Sequence, residues 1–139
     1  MRKKYFLLLT LLFTSVSLLT SCGGGSGSNQ VSVEGTWTLT AAQQTAPTSA
    51  DVKTSFYVQS IKLEGATSGN YTITKPGGGT ETGTFTYNGD SKTLVLSKAE
   101  HGGSWSSVEI SGSTFTATIS IAASASKTTA TTANVTYQK

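Results

Sequence analysis

The chain has 139 residues, a length typical of one domain, and ten Lys and Arg against seven Asp and Glu give a formal net charge of +3. Three of those cations, Arg2, Lys3 and Lys4, open the chain; beyond them there is no arginine, and the seven remaining lysines are scattered and balance the seven acids. A nucleic-acid surface needs clustered Lys or Arg, so this class of partner is excluded. One Cys and one His exclude a disulfide framework and a zinc cluster.

The first residues have the features of an export signal. A cationic start is followed at 5–19 by mostly Leu, Phe, Thr and Ser, which is shorter than the ~20 residues of a membrane-spanning helix. The segment Leu19-Thr20-Ser21-Cys22 closely resembles the bacterial lipoprotein box, in which an aliphatic residue and two small residues precede the lipidated cysteine. The resemblance implies a leader over 1–21 and a lipid anchor on Cys22; the alternative is an ordinary signal peptide with an unmodified cysteine.

A Gly/Ser-rich stretch at 22–30 predicts a flexible tether between this anchor and the domain. In the lipoproteins that the box resembles, Asp directly after the cysteine commonly marks inner-membrane retention. Gly23 stands there, which implies the outer membrane of a Gram-negative cell. Surface-exported lipoproteins of the Bacteroidetes type usually carry acidic residues just behind the cysteine. None occurs in the tether, so the periplasmic face is favoured over the cell surface.

From residue 31 to 139 the apolar residues alternate with Thr, Ser and charged residues. Alternation rich in Thr, Tyr, Val and Ile is typical of half-buried strands, and eight such runs are present. The predicted inward residues are Trp37, Leu39, Ile61, Leu63, Tyr71, Ile73, Phe85, Tyr87, Leu94, Leu96, Val108, Ile110, Phe115, Ala117, Ile119, Ile121, Ala133, Val135 and Tyr137.

Short turns predict that these strands follow one another as an antiparallel meander. Asn88-Gly89 is a strong hairpin signal because both residues tolerate positive φ. Only 42–54 and 98–103 are longer connections. The first has room for a short helix, with Ser49 as its N-cap and Asp51 in its first turn, and we expect it to act as a lid.

Eight meandering strands either leave two exposed edges or close into a barrel, and closure removes the edges. The strands are short for an outer-membrane barrel, and a lipid anchor on such a barrel would be redundant, so the apolar face is predicted to line the interior of a small water-soluble barrel. A two-sheet sandwich is the alternative. A barrel of this size is either filled by side chains or holds one small ligand. The aromatic residues among the predicted inward positions favour a filled interior or a shallow pocket near one mouth.

The segment Gly35-Thr36-Trp37, which opens the first strand, resembles the Gly-x-Trp start of lipocalins, and the whole layout is similar to bacterial lipocalin-like lipoproteins. The resemblance implies that the Trp closes the barrel floor and that the cup above it takes a small apolar molecule. The candidate cup residues are Trp37, Tyr71, Phe85 and Tyr87. Lipocalins usually stack an Arg near the chain end over that Trp, whereas this domain offers only Lys127 or Lys139.

No catalytic, metal or cofactor site is predicted. His101 lies beside Glu100, but there is no Gly-x-Ser-x-Gly elbow, and the carboxylates are spread over separate elements. The parity of Val108 and Ile110 places Trp105 outside the barrel. Either a bulge at 106–107 returns Trp105 to the core, or it lies exposed near His101 as a rim or partner contact.

Two functional hypotheses follow. In the first, a lipid-anchored, non-enzymatic barrel binds a small apolar molecule in its cup. In the second, a filled barrel acts through its outer surface as a scaffold or subunit in an envelope protein complex. The family resemblance favours the first hypothesis, and the number of inward residues favours the second.

Overall fold

A computed structural model of the chain describes residues 30–98, 104–121 and 131–139, which form strands and turns. The predicted leader, Cys22 and the tether before Gln30 lie outside these described residues. The strands are β1 (Gly35–Ala46), β2 (Ala50–Asp51), β3 (Ser60–Glu64), β4 (Ser68–Thr74), β5 (Thr80–Asn88), β6 (Thr93–Leu96), β7 (Ser104–Ser111), β8 (Thr114–Ile121) and β9 (Thr131–Gln138). In this part of the chain, no helix has the length and apolar character needed to cross a membrane.

The strands form one closed antiparallel sheet. Its order is β2-β1-β3-β4-β5-β6-β7-β8-β9, and β1 also pairs with β9. This last pairing runs from Thr38↔Gln138 to Ala46↔Thr132 and turns the meander into a barrel of eight strands, with the short β2 added alongside β1. The predicted all-β, eight-stranded barrel is therefore confirmed, and the sandwich alternative is wrong because the first and last strands are hydrogen-bonded to each other.

The two ends of the barrel are defined by the strand ends and turns that lie there. We call the end where β1 begins the lower end; it also holds the β3–β4, β5–β6 and β7–β8 turns and the C-terminal residue Lys139. The upper end is where β1 ends and where the β4–β5 turn lies. The connections 99–103 and 122–130, which include the predicted residues His101 and Lys127, lie outside the described residues.

The interior is one apolar core of 22 buried residues. Of the inward residues predicted from alternation, Ile110 is half-buried and packs against this core, and the burial of Ile121 is not described. The others are all buried. The alternation did not identify five further core residues, which are Val33, Ala42, Phe56, Val58 and Trp105.

A β-bulge in β7 decides the position of Trp105. The pairing of β7 with β8 shifts between Ser106 and Glu109, and Ser107 has a φ of 52°. The bulge adds one residue to the strand, so that Trp105 and Val108 both face the core. Trp105 is 0% exposed. The bulge alternative is therefore confirmed, and the prediction of Trp105 as an exposed rim or partner contact is wrong.

The helix predicted within 42–54 is also wrong. β1 continues to Ala46 because its upper half pairs with β9, with register shifts at Leu39/Ala41 and Gln44/Ala46. The chain then turns back, and β2 pairs with Gln43 and Gln44. Ser49 Oγ accepts a hydrogen bond from the Gln43 side chain, so the residue predicted as an N-cap instead ties this turn to β1. In this segment the backbone N–H and C=O groups that a helix would have paired internally form hydrogen bonds to neighbouring strands instead.

Candidate functional site

Four aromatic side chains pack against one another inside the barrel. Trp37 packs on Phe115 with ring centroids 5.4 Å apart, and Trp105 stacks on Tyr137 at 5.9 Å and 13°. All four rings are 0% exposed. The Tyr137 hydroxyl donates a hydrogen bond to the Val58 carbonyl at 3.2 Å, which joins β9 to the segment before β3. This part of the interior is core, occupied by the protein's own side chains.

The lower end is closed by Val33, Trp37 and Lys139. The indole N–H of Trp37 donates to the Val33 carbonyl at 2.8 Å, and Val33 is itself fully buried. The Lys139 ammonium lies 4.4 Å from the centre of the Trp37 ring, a cation–π distance. A Cβ on Gly35 would overlap the aliphatic part of the Lys139 side chain, so the absence of a side chain at Gly35 leaves room for Lys139. Lys139 thus occupies the position over the Trp that the lipocalin resemblance assigns to an arginine.

The upper end holds a polar cluster on the inner face of the barrel wall, made by Tyr57, Tyr71, Lys75 and Glu81. Glu81 has the same parity on β5 as the core residues Phe85 and Tyr87, so its carboxylate points inward, and its side chain is only 8% exposed. Burying a carboxylate is costly unless charged and hydrogen-bonding partners surround it. The structure provides both kinds of partner.

Each partner of Glu81 comes from a different element. Tyr57, from the segment before β3, donates its hydroxyl to Oε2 at 3.1 Å, and Tyr71 on β4 donates to Oε1 at 3.1 Å. The Lys75 ammonium lies 3.7 Å from Oε2 and 5.0 Å from the centre of the Tyr57 ring. The cluster therefore links the β1–β3 connection to the β4–β5 hairpin through one inward carboxylate.

Gly83 makes this arrangement possible. It faces the interior two residues after Glu81, and a Cβ there would lie 2.6 Å from Tyr71 Cε1 and 2.6 Å from Ser97 Oγ. Real Cβ atoms do not approach other atoms so closely. A glycine inside a strand commonly marks such an approach of neighbouring groups. The Tyr71 ring crosses β5 over Gly83, and its hydroxyl thereby reaches Glu81.

The pKa values of Tyr57, Tyr71 and Lys75 are all raised within the cluster. Burial, and then the hydrogen bond to Glu81, raise the pKa of Tyr71 to about 12. Burial is also the first cause that raises the pKa of Tyr57, with Glu81 acting in the same direction and Lys75 against it. The Tyr57 hydroxyl, followed by the charge of Glu81, raises the pKa of Lys75. At neutral pH both phenols therefore keep their protons and act as donors.

The predicted cup residues are inside the barrel but do not form one group. Trp37 lies at the lower end under Lys139, and Tyr87 is anchored there by its N–H, which donates to Thr67. Phe85 lies between the ends, paired with Gly69 and Leu96, and Tyr71 alone reaches the upper-end cluster. Their role in holding a ligand stays a prediction.

Sequence reasoning did not single out Tyr57, Lys75 or Glu81. A signal was present for Glu81, because residues 81, 83, 85 and 87 share one face of β5, and a carboxylate on the inward parity of a strand is unusual. Among the described residues there is no group of three or more His, Cys, Asp or Glu side chains that could hold a metal ion.

Comparison with known proteins agrees with the architecture. The family model described as lipocalin-like domain matches residues 33–117, which run from the buried Val33 through β7 and into β8. Searches of curated proteins and of solved structures returned no match. The matched segment covers more than half of the chain and includes the Gly35-Thr36-Trp37 motif, the upper-end cluster and the β7 bulge. The chain belongs to the lipocalin-like domain family.

Proposed function

We propose that this protein is a non-enzymatic, lipid-anchored envelope protein whose barrel binds a small, largely apolar molecule at its upper end. The observation that carries the proposal is the polar cluster on the inner wall. A core needs no inward carboxylate, and a half-buried charged group inside an otherwise apolar barrel is a common sign of a binding site. The lipocalin-like family supports the same conclusion, since its fold is generally one that binds ligands.

The upper half of the barrel is the part suited to a ligand. The lower end is closed by Val33, Trp37 and Lys139, and the rings of Phe115, Tyr137 and Trp105 fill the interior next to it. A ligand that enters from the opposite end meets the cluster first, and it reaches Ile73, the fully buried inner-face neighbour of Glu81 on β4, only if the surrounding side chains move aside. An apolar body with one polar group matches this combination.

The binding proposal is tested with residues 30–139, which contain all the strands and core residues that the structure describes. We expect the fragment, purified gently from cells of its own envelope type, to show in native mass spectrometry a reproducible adduct of small-molecule size that is lost on organic extraction. We also expect it to enhance the fluorescence of Nile red, an uncharged apolar probe. A bare mass together with no probe binding would refute ligand binding.

The aromatic core supports a second candidate function, a scaffold or subunit in an envelope protein complex. Four fully buried aromatic rings occupy that part of the interior and leave the core complete without a ligand there. This candidate predicts a bare mass, exclusion of Nile red and a protein partner captured by crosslinking in intact cells. Substitution of Trp105 cannot identify such a partner surface, because its side chain lies inside the barrel.

The anchor is tested separately from the barrel. We expect metabolic labelling with a fatty acid to mark the full chain and the Cys22→Ala variant to lose both the label and the membrane fraction, because multiple acyl chains hold a protein at a bilayer. We expect the labelled protein in the outer-membrane fraction and protected from protease added to intact cells. Labelling that survives in the variant would contradict the assignment of Cys22, and digestion on intact cells would place the domain on the surface.

A further inference from the structure

The upper-end cluster contains an ammonium group, that of Lys75, whose contact with the Glu81 carboxylate is longer than a close hydrogen bond. The Lys75 ammonium approaches Glu81 Oε2 at 3.7 Å, whereas the exposed pair of Lys92 and Glu109 reaches 2.7 Å. Charge-assisted hydrogen bonds between nitrogen and carboxylate are typically about 2.7–2.9 Å long. Lys75 is therefore attracted to the carboxylate without forming a close hydrogen bond to it.

The backbone explains why Lys75 comes no closer. Its N–H donates to Gly79 at 2.7 Å, and its carbonyl accepts from Gly78 at 3.0 Å, so the hairpin fixes the point from which the side chain starts. From there the side chain folds back across the upper end and remains 31% exposed. The Glu81 side chain, in contrast, is only 8% exposed, and a buried carboxylate left without a cation is costly. The group that replaces Lys75 must therefore carry a positive charge of its own.

An ammonium group that is not tethered to the hairpin could contact Glu81 and Tyr57 more closely than Lys75 does. The Tyr57 ring presents a face at cation–π distance from Lys75, and both Tyr hydroxyls donate to the carboxylate while remaining neutral well above pH 7. The two phenols therefore act on the carboxylate as neutral hydrogen-bond donors. A group without the tether can approach Oε2 at hydrogen-bond distance and lie against the same ring.

We propose that the corner formed by Glu81 and Tyr57 binds the ammonium group of an amphiphilic ligand, that Lys75 occupies this corner when no ligand is bound, and that the ligand displaces it. The class of ligand is a molecule with an apolar body and a protonated amine. This inference rests on the proposed binding function and adds the chemistry of the polar end. An anionic head is disfavoured because it would lie against the carboxylate of Glu81.

The test compares three probes of one chain length, decylammonium, decanol and decanoate, in competition with Nile red on residues 30–139. We expect decylammonium to compete about tenfold more strongly than decanol, which corresponds to ~1.4 kcal/mol, and decanoate to be the weakest. The preference for the amine should decrease as salt is added, because screening weakens the contact with Glu81.

Three variants assign the preference to this corner. Glu81→Gln should reduce the ratio of amine to alcohol affinity to about one, and Lys75→Ala should increase it, because the internal competitor is gone. Glu109→Gln is the matched control: it removes a carboxylate that also pairs with a lysine but lies exposed on the outer face, and the ratio should stay at its original value.

The outcomes separate this inference from the binding function. Competition by decanol with no preference for decylammonium would overturn the inference and leave the binding function standing. A preference that persists in Glu81→Gln would also overturn it. If none of the three probes competes and Nile red does not bind, the binding function fails, and the inference fails with it.

Discussion

The substitution Gly83→Ala tests whether the close approach of Tyr71 to β5 holds the upper-end cluster together. The added methyl group would lie 2.6 Å from the Tyr71 ring, which is only 1% exposed, and 2.6 Å from Ser97 Oγ, which accepts a hydrogen bond from the Thr84 N–H. Overpacking of this kind costs about 1–3 kcal/mol. Loss of the Tyr71 hydrogen bond to the Glu81 carboxylate adds ~1.5–3 kcal/mol if the ring is displaced.

We therefore expect Gly83→Ala to lower the free energy of unfolding by about 3 kcal/mol, and the midpoint of urea unfolding by roughly 2 M for a domain of this size. Far-UV circular dichroism and tryptophan fluorescence follow the transition. Gly79→Ala is the matched control, because its methyl group would come no closer than 3.9 Å to the Lys75 side chain. That variant should differ from the parent by less than ~1 kcal/mol.

A double-mutant cycle tests the cause of the loss. In a Tyr71→Leu background the colliding ring atoms are absent and only the contact with Ser97 Oγ remains, so Gly83→Ala should lose the part of its effect that the ring causes, with a coupling of about 2 kcal/mol between the two positions. The reasoning is refuted if Gly83→Ala is as stable as Gly79→Ala, or if its cost is the same in both backgrounds.

Three further predictions concern other parts of the barrel. Lys139→Ala should destabilise the domain by about 1 kcal/mol and Lys139→Arg should not, since arginine keeps the cation over Trp37; equal losses would contradict the cation–π contact. In denaturant unfolding, Ser107→Gly should gain up to ~1 kcal/mol and Ser107→Val should lose stability, because the bulge holds this residue at positive φ; indistinguishable midpoints would argue against the bulge. Burial raises the pKa of Tyr71 to about 12 and that of Tyr137 well above its usual value of 10.0, so the stability they contribute is complete below pH ~10 and is lost as the pH rises through their folded values. Tyrosinate absorbance should therefore appear together with loss of the circular dichroism signal; full titration near pH 10 with the fold intact would contradict this prediction.

The sequence predicted the strands and the core well because alternation and turn chemistry act locally. The β3–β4, β4–β5, β5–β6 and β7–β8 turns are short, and most inward positions carry an apolar residue between Thr or Ser neighbours, so strand identity could be assigned without knowledge of the partners. Closure followed from the need to remove exposed edges. The segment Ala41-Ala42-Gln43-Gln44 has no strand alternation, and it continues β1 only because β9 lies beside it.

The features that the sequence could not predict depend on how strands are aligned across the barrel. The bulge at 106–107 contains two serines that have no intrinsic preference for positive φ, so both placements of Trp105 stayed open until the pairing with β8 was known. The upper-end cluster joins Tyr57 and Glu81. Predicting this contact requires knowing how the segment before β3, β4 and β5 are aligned with one another. Local patterns carry no information about such contacts.

The closed lower end also sets an orientation for the proposed anchored protein. Residues 30–34 lead into β1 at that end, so the tether between Cys22 and the barrel starts there. If Cys22 carries the proposed lipid, the nine residues 22–30 would span on the order of 15–20 Å, which would keep the Trp37 end nearer to the bilayer and leave the Glu81 end facing the aqueous compartment. Cargo would then be exchanged with molecules arriving from that compartment, such as a diffusing carrier, and would not pass directly from the lipid below the barrel.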